Sequence, residues 1–285
     1  MDTDEGRPLR EVSLLAGLPP DVLGIRPTYV PSVDRPDTPA RLLIYALLWL
    51  LAAGIAGVVA ALILARGFAN QGAWTGQAHP WKQAPTVVDV FGDGVICAVM
   101  VLAARRRARH LGRGNIATGL GDGPIIRRRL LVVFGIAGLA IPIGMTALVD
   151  WGPLHLDWLK PDGDDAVTIM FGRLMAAGPF VQVTMVLSLA GLGPLSEEWF
   201  FRGWLWTGLR RHWRPVPVML ATALPWLLLH MMNSPLYPLF LVPGAISLSL
   251  ARQYCGGVRA SLTLHVLNNL IATGLTIVVL SAAPA

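Results

Sequence analysis

The sequence predicts an all-α fold: a polytopic transmembrane bundle of about eight helices with a polar active site buried inside it. Three observations predict it. Of 285 residues, 54% are hydrophobic and only 14% charged, against about 25% charge in a soluble domain, and mean hydropathy is +0.57. The apolar residues fall in long unbroken runs, the length a helix needs to cross a bilayer. Only helices and closed barrels satisfy their backbone in lipid, and such runs select helices. Finally, two adjacent carboxylates, Glu197 and Glu198, sit between an apolar run ending at Pro194 and a Trp/Phe/Leu-rich run ending near Leu209. An ionisable group at bilayer depth costs roughly 2.5–3.5 kcal/mol on insertion scales and is rarely idle.

Taken in order, residues 1–40 hold many Pro, Asp and Arg and no periodic apolar face. They read as a disordered cytoplasmic tail. Residues 42–65 are the first span. The polar loop 66–85 carries Trp74 and Trp81, residues that favour the interface. The second span is 86–104, with Asp89 and Asp93 near its start. Arg105, Arg106, Arg107 and Arg109 follow, then Arg113 and Arg127–Arg129. Positive charge marks cytoplasmic loops, so 105–129 and the N-terminus belong inside. Residues 130–149 are a third span, and the acidic loop 150–166 suits the outer side. Residues 167–192, with Arg173, form a fourth.

Gly191-Leu192-Gly193-Pro194 then reads as a break, with Ser196 the N-cap of a new helix over 197–210. Further apolar runs are 216–232, 236–251 and 259–281. Two threadings follow. If 167–210 crosses once as a broken helix, there are seven spans and Arg210, Arg211 and Arg214 lie inside. If 197–210 crosses alone, there are eight and that cluster lies outside. The charge rule favours seven; the length of the fourth run favours eight, the count adopted here, with a cytoplasmic opening at the Ser196 end. The chain thus divides into the tail 1–40, N-terminal transmembrane helices over 41–192 and a C-terminal set of helices over 193–285 that carries the Glu197-Glu198 pair.

Composition also excludes function classes. The net charge of +6 is almost wholly arginine, since Lys82 and Lys160 are the only lysines. In a membrane protein such an excess marks loops rather than nucleic-acid binding. Cys97 and Cys255 lie in or beside apolar runs, so no disulfide framework is expected. The first apolar run begins after about 40 polar residues and is too long for a signal peptide.

Four further polar groups stand out in the later apolar runs. Trp226 and His230 are four apart and share a helix face, as do His265 and Asn269. Glu198 and Arg202 are four apart and can pair, while Glu197 points about 100° away. Three helices thus offer a carboxylate, an imidazole, and an imidazole with a carboxamide. If they converge they make a pocket able to do water chemistry. A Glu takes a proton from water, a His shares or relays it, and His and Asn donate to an oxyanion. Taken singly, each has a plainer reading. A lone intramembrane His is often a hydrogen-bonded packing residue, Trp226 is more often core, Glu198–Arg202 more often structural. Asp89, Asp93 and Arg173 suit solvated or snorkelling positions. The joint pattern is harder to explain as packing.

Together the three patches resemble the CAAX-processing and bacteriocin-processing (CPBP) intramembrane proteases, which include type II CAAX prenyl endopeptidases and Abi proteins. The family pattern is E-E-x-x-x-R, then aromatic-x-x-x-H, then H-x-x-x-N. Here it stands as Glu197-Glu198 with Arg202, Trp226 with His230, and His265 with Asn269. The likeness covers roughly 190–280. Trp226 stands where Phe is commoner.

The resemblance implies an intramembrane endopeptidase. Glu197 and His230 would activate the water, His265 and Asn269 would bind the oxyanion, and Glu198 and Arg202 would hold the site in shape. Glu197, His230 and His265 could also hold Zn²⁺ as an open three-ligand site. The metal-free scheme with no cofactor is favoured, because Asn269 beside His265 resembles an oxyanion clamp and no Cys or further carboxylate is near. The implied partners are a membrane-embedded or lipid-anchored peptide or protein and the lipid bilayer. Few lysines and many Arg and Ala fit a GC-rich bacterial genome, which makes the expected location a bacterial plasma membrane. Two other classes use the same residues: a proton-coupled transporter with Glu197, His230 and His265 as relay, and a non-catalytic immunity or scaffold protein. A transporter would show inverted repeats, and none is apparent. A scaffold would tolerate loss of Glu197 or His230, yet both are present at their spacing.

Overall fold

A computed structural model describes residues 37–70, 84–108, 127–151, 171–172, 174–176, 178–232, 237–255 and 257–282. The expected tail up to residue 36, Trp74, Trp81, Arg109, Arg113, Arg173 and all but the first residues of the acidic loop lie outside them. The described residues are helical, with no strand among them. Seven long helices follow one another: α1 (Pro39–Asn70), α2 (Ala84–Ala108), α3 (Arg128–Trp151), α4 (Pro179–Leu209), α5 (Pro215–Leu229, closed by a tight turn His230–Met232), α6 (Tyr237–Tyr254) and α7 (Val258–Ala282). Residues 171–172 and 174–176 add a short helical stretch before α4.

Local chemistry sets the boundaries. Pro39, Pro179 and Pro215 each open a helix, where a missing N–H costs nothing. Thr38 Oγ1 accepts the Arg41 N–H at 3.4 Å, satisfying one orphan donor of α1. The turn between α6 and α7 passes through Gly257 at φ 83°, a conformation open mainly to glycine. Cys97 and Cys255 are free thiols. Cys255 lies in that turn, and burial pushes its thiol up to about 11.

The expected break before Glu197 is absent. α4 runs unbroken for 31 residues, about 46 Å at 1.5 Å per residue. Ser196 is no N-cap: it is buried inside the helix, its hydroxyl donating to Gly193 O at 2.9 Å. The Gly-Leu-Gly-Pro stretch instead follows a widened turn over Ser188–Leu192, closed by the Gly193 N–H on Ser188 O five residues back. A wider turn gives the Pro194 ring room that a regular turn denies it. A second widened turn spans Glu198–Leu205.

One helix in place of two changes the threading. Asp37 before α1 lies 4.0 Å from Arg107 at the end of α2, and its carbonyl accepts from His212 Nε2, in the α4–α5 turn, at 2.8 Å. Arg127 before α3 donates to Tyr254 O at the end of α6 at 3.1 Å. Arg252 of α6 donates to Thr207 of α4 at 3.2 Å. The start of α1, end of α2, start of α3, α4–α5 turn and α6–α7 turn therefore share one end of the bundle. The seven helices alternate in direction, and the eight-span threading does not stand. The arginines at 105–107, 127–129, 210, 211, 214, 252 and 259 all gather at that end.

Four helices are long and apolar enough to cross a membrane: Pro39–Gly67, Arg128–Met145, Pro179–Leu209 and Val258–Val278. α5 is a shorter apolar helix. α2 carries acids near one end and three arginines at the other. The burial pattern is that of a multi-pass membrane protein. Leu47, Leu51, Ile55, Leu62 and Ile63 of α1 are exposed, while Glu198, Arg202, Thr222, Ser249 and Ser261 are buried. The second half of α4 is the core: Phe200, Phe201, Trp204, Leu205, Trp206 and Leu209 are all buried.

α1 and α2 meet at glycines. A Cβ on Gly57 would stand 2.5 Å from Ile96 Cγ1 and 3.1 Å from Gly92 O. Gly57→Val is expected to cost about 1–3 kcal/mol by overpacking, read as a lower melting temperature in detergent. Gly54→Val, where nothing lies within 4 Å, is the control. Single cysteines at Arg106 and Arg211 are expected to label from the same side of the membrane; labelling from opposite sides would contradict the seven-helix threading.

Candidate active site

Four side chains of α4, α5 and α7 meet in mid-bundle, around two carboxylates that a helix turns about 100° apart. Glu198 points inward and is fully buried. Its Oε1 accepts from Arg202 NH1 at 3.1 Å, one turn along α4, and from His265 Nδ1 of α7 at 3.0 Å. A carboxylate oxygen only accepts, so His265 Nδ1 carries the hydrogen. Glu197 faces α5, where the Trp226 indole N–H donates to its Oε2. His265 Nε2 stands 3.8 Å from that same oxygen. One imidazole thus bridges the two acids. The Glu197 side chain keeps 20% exposure where Glu198 has none, which makes Glu197 the reachable carboxylate.

Trp226 is the hinge of the cluster. Its ring packs 4.5 Å from the His230 ring and meets the His265 ring edge-on at 5.8 Å, and the Arg202 guanidinium lies 5.0 Å over it. His230 Nδ1 lies 2.8 Å from Trp226 O. A carbonyl only accepts, so Nδ1–H donates and Nε2 is left for another partner. The plainer reading of Trp226 as core holds for its ring, which is buried, but its N–H is spent on Glu197.

Asn269 lies one turn beyond His265, and its Nδ2 donates to Leu189 O at 2.8 Å, in the first widened turn of α4. The depths agree. At about 1.5 Å per residue, Glu197 is roughly 18 Å from the arginine-rich end, Trp226 roughly 16 Å and His265 roughly 10 Å. Glu197 therefore does not begin a helix at one membrane face, as the eight-span threading supposed; it sits in mid-helix.

Sequence reasoning missed Arg252. It is buried, and its Nε donates to Arg202 O at 2.7 Å, inside the second widened turn. An arginine near the end of an apolar helix has the same sequence signature as cytoplasmic loop charge. Between α2 and the first half of α4 lies an apolar cavity of about 480 Å³, lined by Val90, Phe91, Ala98, Phe180 and Leu192 among others.

A zinc ion would need three convergent donors. Among the described residues no three His, Cys, Asp or Glu side chains are grouped to hold a metal, and Glu197 Oε2 already takes the indole N–H. The scheme proposed for the site therefore uses no metal.

Residues 179–271 match a family model, that of the type II CAAX prenyl endopeptidases, Rce1-like. The match starts with α4 and ends two residues past Asn269, so it contains every residue of the cluster. No curated protein and no solved structure matches the chain significantly.

Glu198→Ala is expected to strand the fully buried Arg202. Breaking one partner of a buried pair costs about 3–5 kcal/mol, so melting in detergent should fall sharply. Adding Arg202→Leu should recover part of that loss; simple additivity would show that the pair is not coupled.

Proposed function

We propose, from the premise that the chain belongs over residues 179–271 to the Rce1-like type II CAAX prenyl endopeptidases, a protease family, that it is an intramembrane endopeptidase using water activated by Glu197 and His230. The observation that carries this reading is the single imidazole, His265, held between a sealed carboxylate and a reachable one. Glu198 anchors its Nδ1–H and so aims Nε2 toward Glu197. The buried Glu198–His265 pair supports a catalytic rather than a packing role.

In this reading a water sits against Glu197. Glu197 takes its proton as the oxygen attacks the peptide carbonyl carbon. His265 acts as an imidazolium: its Nδ1–H stays on Glu198 and its Nε2–H donates to the oxyanion. His230 shares the proton through Nε2, its other nitrogen being tied to the Trp226 carbonyl. The proton passes to the amine as the C–N bond breaks, leaving a carboxylate and an amine. Trp226 fixes the Glu197 carboxylate through its N–H, and Arg202 balances Glu198.

The substrate is a peptide bond of a membrane-embedded or lipid-anchored protein or peptide. The apolar cavity between α2 and α4 supports this, since it can receive an apolar chain beside the helix that carries the acids. The arginine-rich end is the cytoplasmic one by the positive-inside rule, and the site lies below it near mid-bilayer. We take the membrane to be a bacterial plasma membrane.

Comparison of protein termini in cells carrying wild type and Glu197→Gln tests the reading. Termini that depend on Glu197 are expected. With such a substrate purified, Glu197→Gln should lower kcat/KM by about 10³-fold or more, and His230→Ala by about 10²–10⁴-fold. A zinc chelator should leave the rate unchanged; complete inhibition reversed by added Zn²⁺ would refute the metal-free scheme.

A further inference from the structure

The bond from Asn269 to the Leu189 carbonyl has a cause in the sequence five residues on. In the first widened turn, the Gly193 N–H reaches Ser188 O, five residues back. The next bond in that register would run from residue 194 to Leu189 O. Residue 194 is proline and has no N–H to give. Leu189 O would then be left without its helical donor inside an apolar bundle, where a lost partner is costly. Asn269 of α7 fills the place: its Nδ2–H lies 2.8 Å from that oxygen.

A widened turn holds one extra residue. Its presence sets the rotation of everything after it, because each residue turns the helix by about 100°. Glu197 and Glu198 come just after. Without the extra residue, a neighbouring side chain would stand where Glu197 now meets Trp226 and His265. We infer that Asn269 is a positioning residue: it supplies from α7 the N–H that Pro194 lacks, and so holds α4 in the register that presents Glu197 and Glu198. This rests on the proteolytic reading for its effect on rate, though not for its effect on stability.

The test is a rescue. Pro194→Ala gives residue 194 an N–H able to reach Leu189 O. Full-length wild type, Asn269→Leu, Pro194→Ala and the double variant are compared for melting temperature in detergent and for kcat and KM on a Glu197-dependent substrate. Asn269→Leu is expected to lower the melting temperature and to cut kcat by about 100-fold, the scale of a misplaced catalytic group, with KM little changed. Pro194→Ala is expected to return both the stability and most of kcat in the double variant. If the double variant regains stability but not kcat, Asn269 acts on the substrate directly and the inference falls. It falls too if the two substitutions merely add. Should Asn269→Leu fail to accumulate, recovery of folded protein by Pro194→Ala supports the inference, and failure of the double variant to accumulate overturns it. If wild type cleaves nothing, the proteolytic reading is lost, and melting temperatures alone decide whether Asn269 and Pro194 are coupled.

Discussion

A carboxylate with no access to water has to be paired, and in this chain that requirement organises the bundle. Glu198 is sealed in the middle of α4. Arg202 meets it from the same helix, which needs no tertiary structure. His265 meets it from α7, which does. The price of a buried charge is therefore met only when α4 and α7 stand in one relative register. α5 is tied in by Trp226, whose N–H goes to Glu197 and whose ring lies under the Arg202 guanidinium. The residues that read as chemistry are also those that fix helix against helix. Few substitutions there can change one role without the other.

The two widened turns of α4 share one solution to a second constraint. A helix that departs from its regular bonding frees carbonyls, and lipid offers them no donor. Here each widened turn has a carbonyl caught by a side chain from another helix. Leu189 O takes Asn269 of α7, and Arg202 O takes Arg252 of α6. The acids lie between these two points. α4 is thus irregular where its site is, and the irregularity is held from both sides.

Much of this was legible in the residues, and the gaps have physical reasons. Apolar run lengths gave the helical membrane class, and i, i+4 spacing gave the pairing of Glu198 with Arg202 and the shared faces of Trp226 with His230. Convergence could be suspected only from the three patches together. The break at Gly191–Pro194 was misread because glycine and proline are breakers in water. In a packed apolar bundle the chain gains nothing by exposing backbone, so the helix widens instead. Trp226 as a donor to Glu197 and Arg252 as a brace were not legible, since both depend on which helices become neighbours.

The same misreading decided the span count. Segment length argued for eight crossings and arginine placement for seven, and the two arguments differ in kind. Length says what a segment could do alone. Arg210, Arg211 and Arg214 say on which side a whole end of the bundle must lie, beside Arg105–Arg107 and Arg127–Arg129. Asp37, the one carboxylate among the described residues at that end, lies against Arg107, so the charges there are gathered by the fold and not by mutual attraction. A polar end of one sign can be held together only where water and counter-ions screen it. That keeps the arginines at the surface and leaves Glu197 and Glu198 at depth, with an imidazole and a guanidinium beside them. A carboxylate kept reachable there, beside one that is sealed, is an arrangement that packing alone would not retain.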